Sequence, residues 1–164
     1  MSSDQEPASS WTTGIPYRLW HVNQAVHRRV ESAIAELGVT VTQLGIAVHL
    51  DDFGHLSASD LARMFRLTPQ STTLALGRLE KGGYVERVPH PTHKRVIWYE
   101  LTRAGVDLAD RGRTRVAAVD EELATVLGAE ASAVVDAALT ALERAADEEV
   151  ARQTMWPVPR RRQG

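Results

Sequence analysis

Gln70, Ser71, Thr73 and Leu74 follow directly on Pro69, and Arg78 and Lys81 come after them at helical spacing. At about 100° per residue, Thr72, Ala75, Leu76 and Leu79 share one side of a helix. Gln70, Thr73, Leu74, Gly77, Arg78 and Lys81 occupy the opposite side and its flanks. Amide and hydroxyl groups in a first helical turn can hydrogen-bond base edges in a major groove, and an apolar side chain can touch a thymine methyl. Cations farther along can meet phosphates. Gly77 gives this face a narrow waist. An ordinary solvated helix face could carry the same residues, so the neighbouring elements decide between the two readings.

Those elements form a consistent series over residues 56–101. Ser57 and Asp60 have the spacing of a capping pair, and Leu61, Ala62 and Phe65 then fall on one face of a first helix. Thr68-Pro69 restarts the helix, since Thr caps well and Pro suits a position that needs no amide donor. The gap between Phe65 and Pro69 is the short turn of a helix-turn-helix. Gly82-Gly83 ends the second helix. Residues 84–88 read as a strand stopped by Pro89, 90–94 as a polar, basic turn, and 95–101 as a return strand rich in β-branched and aromatic residues. His93, Lys94 and Arg95 then stand at the tip of a hairpin. A helix-turn-helix followed at once by a basic-tipped hairpin is a winged-helix arrangement.

This pattern resembles the multiple-antibiotic-resistance regulator (MarR) family of dimeric winged-helix transcription regulators. The likeness rests on Leu61-Ala62, on Arg78-Leu79-Glu80-x-x-Gly83-Tyr84-Val85-Glu86-Arg87, and on a wing that reads His93-Lys94-Arg95, then five residues, then Leu101-Thr102, with Ala104-Gly105 following. It extends over about residues 15–150. It implies a mainly α fold with a small two-to-three-stranded β wing, the winged helix-turn-helix being set in a helical dimer frame. It also implies that Arg95 reaches a minor groove. The sequence departs from the family pattern twice. His93 stands where the wing commonly has Asp, and Leu74 stands where many members carry a basic residue. Neutral imidazole adds no negative charge beside Arg95, and protonated imidazole would repel it and favour a phosphate. Affinity for DNA is therefore expected to rise as pH falls, with His93 taking up the proton and His90 adding to it; the alternative is that His93 is only a solvated loop residue.

The rest of the chain supplies the frame. With 164 residues and 43% apolar content, one domain with a sizeable core is expected. The net charge of −2 shows that any nucleic-acid contact depends on local charge. There is no cysteine, which excludes a thiol peroxide switch, a thiolate metal site and a disulfide framework. With no long apolar run and no signal-peptide core, a cytoplasmic, nucleoid-associated protein without a membrane partner is expected. Residues 1–13, including Trp11, read as a disordered tail, 14–153 as the winged-helix domain, and 154–164 as a disordered basic tail. Within the domain, helices are expected over about 16–37, from a Thr40/Gln43 capping box to about Leu50, over about 103–127 behind a Thr102 cap, and over 129–153 after Gly128. Asp51-Asp52-Phe53-Gly54-His55 reads as a turn. The apolar stripes of 15–37 and 102–153 exceed what two short strands need for cover, so these segments are expected to dimerise; the alternative is a monomeric bundle.

Other chemistry has weaker support. The six histidines lack the spacing of a metal motif, and no nucleophile elbow, phosphate loop or dinucleotide fingerprint is present. No enzymatic activity and no cofactor are therefore expected. The family resemblance implies a small aromatic or anionic effector bound between the frame and the winged unit. Trp20, His21, Gln24 and Arg28 offer an aromatic surface, hydrogen bonds and a cation for it, although Trp20 could equally fill a dimer core. The expected function is a ligand-responsive repressor that binds a pseudo-palindromic operator in double-stranded DNA. The alternative from a different class is a winged helix that binds another protein and no DNA.

Overall fold

The computed structural model describes residues 13–93 and 95–153. Its helices are α1 (Ile15–Ile34), which tightens into a 3-10 turn at Ala35–Leu37, α2 (Val41–Phe53), α3 (Ala58–Met64), α4 (Pro69–Lys81), α5 (Arg103–Leu127) and α6 (Ala129–Gln153). Three strands accompany them: β1 (Leu56–Ser57), β2 (Val85–Pro89) and β3 (Ile97–Leu101). They form one antiparallel sheet in the order β1-β3-β2. Leu56 pairs with Tyr99, and Val85 through Pro89 run against Leu101 through Ile97.

The helix boundaries follow from capping chemistry. Thr40 and Gln43 form a reciprocal capping box at the start of α2, and Ser57 and Asp60 form another at α3. Thr68 accepts from the Ser71 amide to open α4 with Pro69 in its first turn, and Thr102 accepts from Gly105 to open α5. α4 ends with the Gly83 amide bonded to the Glu80 carbonyl, the Tyr84 amide bonded to Leu79, and Gly83 left-handed at φ 73°. The same bond pattern ends α3, where the Arg66 amide reaches Arg63 and the Leu67 amide reaches Ala62. There the left-handed position is held by Arg66 at φ 51°, not by a glycine.

Leu61, Leu76, Leu79, Val85 and Tyr99 meet Leu44, Ile46, Leu50 and Leu108 in one core. The winged unit is thus built onto α2 and the first half of α5. Two glycines set how closely α5 lies: a Cβ at Gly105 would fall 2.0 Å from the Tyr84 carbonyl oxygen, and one at Gly112 would fall 2.1 Å from Leu44 Cδ1. Arg113 adds a bridge to Asp51 at 2.6 Å and Asp52 at 2.9 Å, and Arg115 reaches Glu36 at 2.7 Å.

Four expectations shift. Asp51, Asp52 and Phe53 are the last turn of α2, not a connecting turn, because Arg113 holds both carboxylates and Phe53 packs on the core. Leu56-Ser57 adds a strand that the sequence reading took only for a helix cap. Pro89 lies within β2, which it can do because β2 is an edge strand. Arg95 and Val96 belong to the wing turn, and β3 begins at Ile97. The expected tails at 1–13 and 154–164 fall outside the described residues except for Thr13. Among the described residues no single helix is long and apolar enough to cross a membrane.

Candidate nucleic-acid interface

α4 divides its residues as its periodicity requires. Thr72, Ala75, Leu76 and Leu79 are buried, and Gln70, Ser71, Thr73, Leu74, Gly77, Arg78 and Lys81 are exposed. Its inner face packs into a core shared with α2, α3, β2, β3 and α5, which leaves the outer face free to meet another molecule. Leu74 is 59% exposed, although burying a leucine is worth about 1.5–3 kcal/mol. No polar side chain among the described residues bonds Gln70, whose amide can offer both a donor and an acceptor to one base edge. The two hydroxyls are less free. Thr68 donates to the Ser71 hydroxyl at 2.8 Å, and Thr73 donates to the Pro69 carbonyl at 2.8 Å. Thr73 therefore offers acceptor lone pairs but no spare proton. Arg78 lies at the flank of the face, where it also lines a cleft with Gly38, Thr40, Gln43 and Tyr84. Lys81 is exposed in the last turn.

An ion pair orients the wing relative to α4. Arg87 on β2 meets Glu80 on α4 at 3.0 Å and lies over the Tyr99 ring at 5.8 Å. This gives a physical role to most of the Arg78–Arg87 pattern: Leu79 and Val85 are core, Gly83 supplies the left-handed turn, and Glu80 and Arg87 pair.

At the tip, His93 and Arg95 are both exposed, and Lys94 lies outside the described residues. The His93 amide donates to His90 Nδ1 at 3.1 Å, and the Thr92 amide donates to the same nitrogen at 3.2 Å. His90 Nδ1 is therefore an acceptor that closes the turn. The wing base is a run of rings: His55 stacks on Trp98 at 5.1 Å, His90 tilts onto Trp98 at 4.2 Å, and His93 lies 4.9 Å from His90. His55 also pairs with Glu100 at 3.1 Å. No local pattern announces this ladder, because its members come from three separate segments.

Trp20, His21, Gln24 and Arg28 are all exposed on α1, far in sequence from the winged unit, and Trp20 is 57% exposed. Tyr17, which is not among the residues expected from the sequence, joins them through ring contacts of 6.0 Å to Trp20 and 6.1 Å to His21. A four-residue pitch could have pointed to it. Among the described residues no three His, Asp or Glu side chains are grouped so as to hold a metal ion.

Comparison with known proteins agrees with this architecture. Residues 37–96 match the model of the MarR family. The HTH-type transcriptional repressor Rv2887 of Mycobacterium tuberculosis is 32% identical over 104 residues, which are 63% of this chain and 75% of that protein. A crystal structure of a mutant MarR from E. coli complexed with operator DNA is 26% identical, with a TM-score of 0.70, over 80% of this chain and 96% of that one. The structure of the M. tuberculosis MarR family protein Rv2887 in complex with salicylic acid is also 26% identical, with a TM-score of 0.64, over 86% of this chain and 99% of that one. The chain belongs to the MarR family, whose members are DNA-binding transcription regulators and not enzymes.

Proposed function

We propose that the chain acts as a homodimer on a pseudo-palindromic operator and represses transcription until a small molecule releases it. The observation that carries this reading is the outer face of α4. It presents Gln70, Ser71, Thr73, Leu74, Arg78 and Lys81 beside a wing that carries His93 and Arg95, while the inner face is committed to the core. Gln70 and Ser71 read base edges, Thr73 accepts, Leu74 meets a thymine methyl, and Arg78, Lys81 and Lys94 hold phosphates. Arg95 enters the minor groove, where a narrow A·T-rich stretch attracts a cation. His93 lies over the adjoining backbone.

The dimer is supported by apolar side chains that one chain leaves in water. Ile15, Leu19 and Val22 on α1, Val126 at the end of α5, and Val134, Leu139 and Leu142 on α6 are all exposed, Val126 at 78%. Pairing these helices between two copies would remove that surface from water and set two α4 helices about one duplex turn apart. Ligand release is supported by the relatives: one is named a repressor and its structure contains salicylic acid. Trp20, His21, Gln24 and Arg28 are the α1 residues offered for an effector, with Trp20 also available to the dimer core.

Selection from a randomised duplex pool, followed by titration at several salt concentrations, tests the reading. Binding should weaken steeply with salt through counterion release. Gln70→Ala should relax preference at one base position at a cost of ~1–3 kcal/mol, and Lys81→Ala should weaken all sequences about equally. A folded dimer that selects no sequence would refute it, and two variants that lose affinity uniformly would refute the division of labour between base-reading and phosphate-holding residues.

A further inference from the structure

Gln70, Thr73, Leu74 and Gly77 stand at positions i, i+3, i+4 and i+7 of α4, the spacing with which a helix laid in a major groove faces base edges. All four are exposed. Three of them have a side chain to offer, and the fourth has none. Glycine is the least favourable residue in a helix interior after proline, so Gly77 needs a reason. The chain itself supplies none. Gly77 is not one of the left-handed glycines, and a Cβ placed on it would meet nothing within 4 Å. Gly105 and Gly112, by contrast, make room for Tyr84 and Leu44. A helical side chain covers the surface of the turn before it, so a side chain at position 77 would lie over Leu74. Without one, Leu74 stays in water, and α4 forgoes the contact that two apolar side chains three apart would make. Together the two residues form a shallow apolar notch in a face that is otherwise polar. Gln70 and Ser71 lie toward one end of it, and the cations Arg78 and Lys81 toward the other.

We infer that this notch seats the 5-methyl group of one thymine, with Leu74 as its wall and the bare backbone at Gly77 as its floor. Gly77 is thereby a specificity-determining residue. The inference rests on the regulator reading above. The occupant follows from the chemistry of the notch and its surroundings. Neither side chain carries a donor or an acceptor, and the thymine methyl is the one apolar feature that base pairs present in the major groove. Arg78 and Lys81 match the phosphates of the strand that carries the base, which an apolar protein segment would leave unpaired. A methyl group is about as large as the Cβ that glycine lacks. It takes that space, and the α4 backbone stands closer to the base edge by about 1.5 Å, the length of one carbon–carbon bond.

The test uses the full chain, its selected operator, and duplexes in which each thymine is replaced in turn by deoxyuridine, at matched positions of both half-sites. Deoxyuridine differs only in lacking the 5-methyl group. One such replacement should weaken the parent about fourfold per half-site, the fold-change of one buried methyl group. Gly77→Ala has no neighbour for its Cβ to strike, so it should fold and melt no lower than the parent. On the thymine duplex it should nonetheless lose about tenfold or more, as overpacking of a close contact does. On that one deoxyuridine duplex it should bind as well as the parent, because its own methyl now takes the place of the base's. The inference is overturned if Gly77→Ala binds the thymine duplex like the parent, or if no deoxyuridine weakens the parent. It is also overturned if the variant loses affinity equally on the thymine duplex and on every deoxyuridine duplex, which would put the sugar–phosphate strand against Gly77. A parent that selects no duplex overturns the regulator reading and this inference with it, whereas a parent that selects one and is matched by Gly77→Ala overturns this inference alone.

Discussion

Gly105→Ala tests the close approach that welds α5 to the winged unit. The added Cβ would lie 2.0 Å from the Tyr84 carbonyl oxygen and 2.9 Å from Leu101 Cδ2. Heavy atoms in comfortable contact stand about 3.5–4.0 Å apart, so the carbonyl would have to retreat by more than 1 Å (roughly) or α5 would have to lift. That carbonyl accepts the Thr102 amide at 3.1 Å, and the Thr102 hydroxyl donates to the adjacent Gly83 carbonyl at 2.6 Å. Either movement therefore strains the cap of α5 and the left-handed end of α4 together. Overpacking costs about 1–3 kcal/mol and a weakened hydrogen bond about 0.5–1.5 kcal/mol. The better helix propensity of Ala returns about 0.5–1 kcal/mol. The net expectation is a loss of about 2 kcal/mol, or about 4–8 °C in melting midpoint for a chain of this size. Gly77→Ala is the control, because nothing lies within 4 Å of its Cβ position. It should raise stability by about 0.5–1 kcal/mol. Both are read by thermal melting at one protein concentration, since a dimer's midpoint depends on concentration. If Gly105→Ala melts at or above the parent, the approach of α5 to Tyr84 is not as close as described and the reasoning fails.

Arg113→Ala should cost about 1 kcal/mol or less, because the side chain is partly exposed and its pairs are screened. The hydrogen bond to Asp51 holds this guanidinium above its already strongly basic range, with the charges of Asp51 and Asp52 adding and burial opposing. A raised pKa contributes stability at every pH below the ordinary value and loses it only above, so the deficit measured by denaturant unfolding should be equal at about pH 7 and about pH 9. Deleting residues 129–164 should give a monomer or an aggregate with weak operator binding; a truncated chain that sediments as a dimer would contradict the proposed interface. Ser57→Ala removes half of the α3 capping box and should lower stability by about 1 kcal/mol in the same assay, and an unchanged midpoint would count against the cap.

Local chemistry decided the order of elements, so the sequence alone was enough to find them. The Thr40/Gln43 and Ser57/Asp60 boxes, Thr68-Pro69 and Gly82-Gly83 act within a few residues, and the period of α4 alone separates Leu76 and Leu79 from Gln70 and Lys81. What joins distant segments needed the fold. Arg66 carries a left-handed φ that no glycine announced, Asp51 and Asp52 read as loop until Arg113 reached them across the core, and two residues at Leu56 become a strand only because Tyr99 lies opposite. The same holds for the site. The candidate base-reading residues are neighbours on one helix and were legible from spacing. The place of His90 in the turn depends on two amides that its ring accepts, and a cleft lined by Arg63 and Arg95 depends on α3 meeting the wing. Periodicity and capping are properties of adjacent residues, so the sequence contains them. A hydrogen bond or a cleft between residues far apart in the chain exists only once packing has fixed the distance between them.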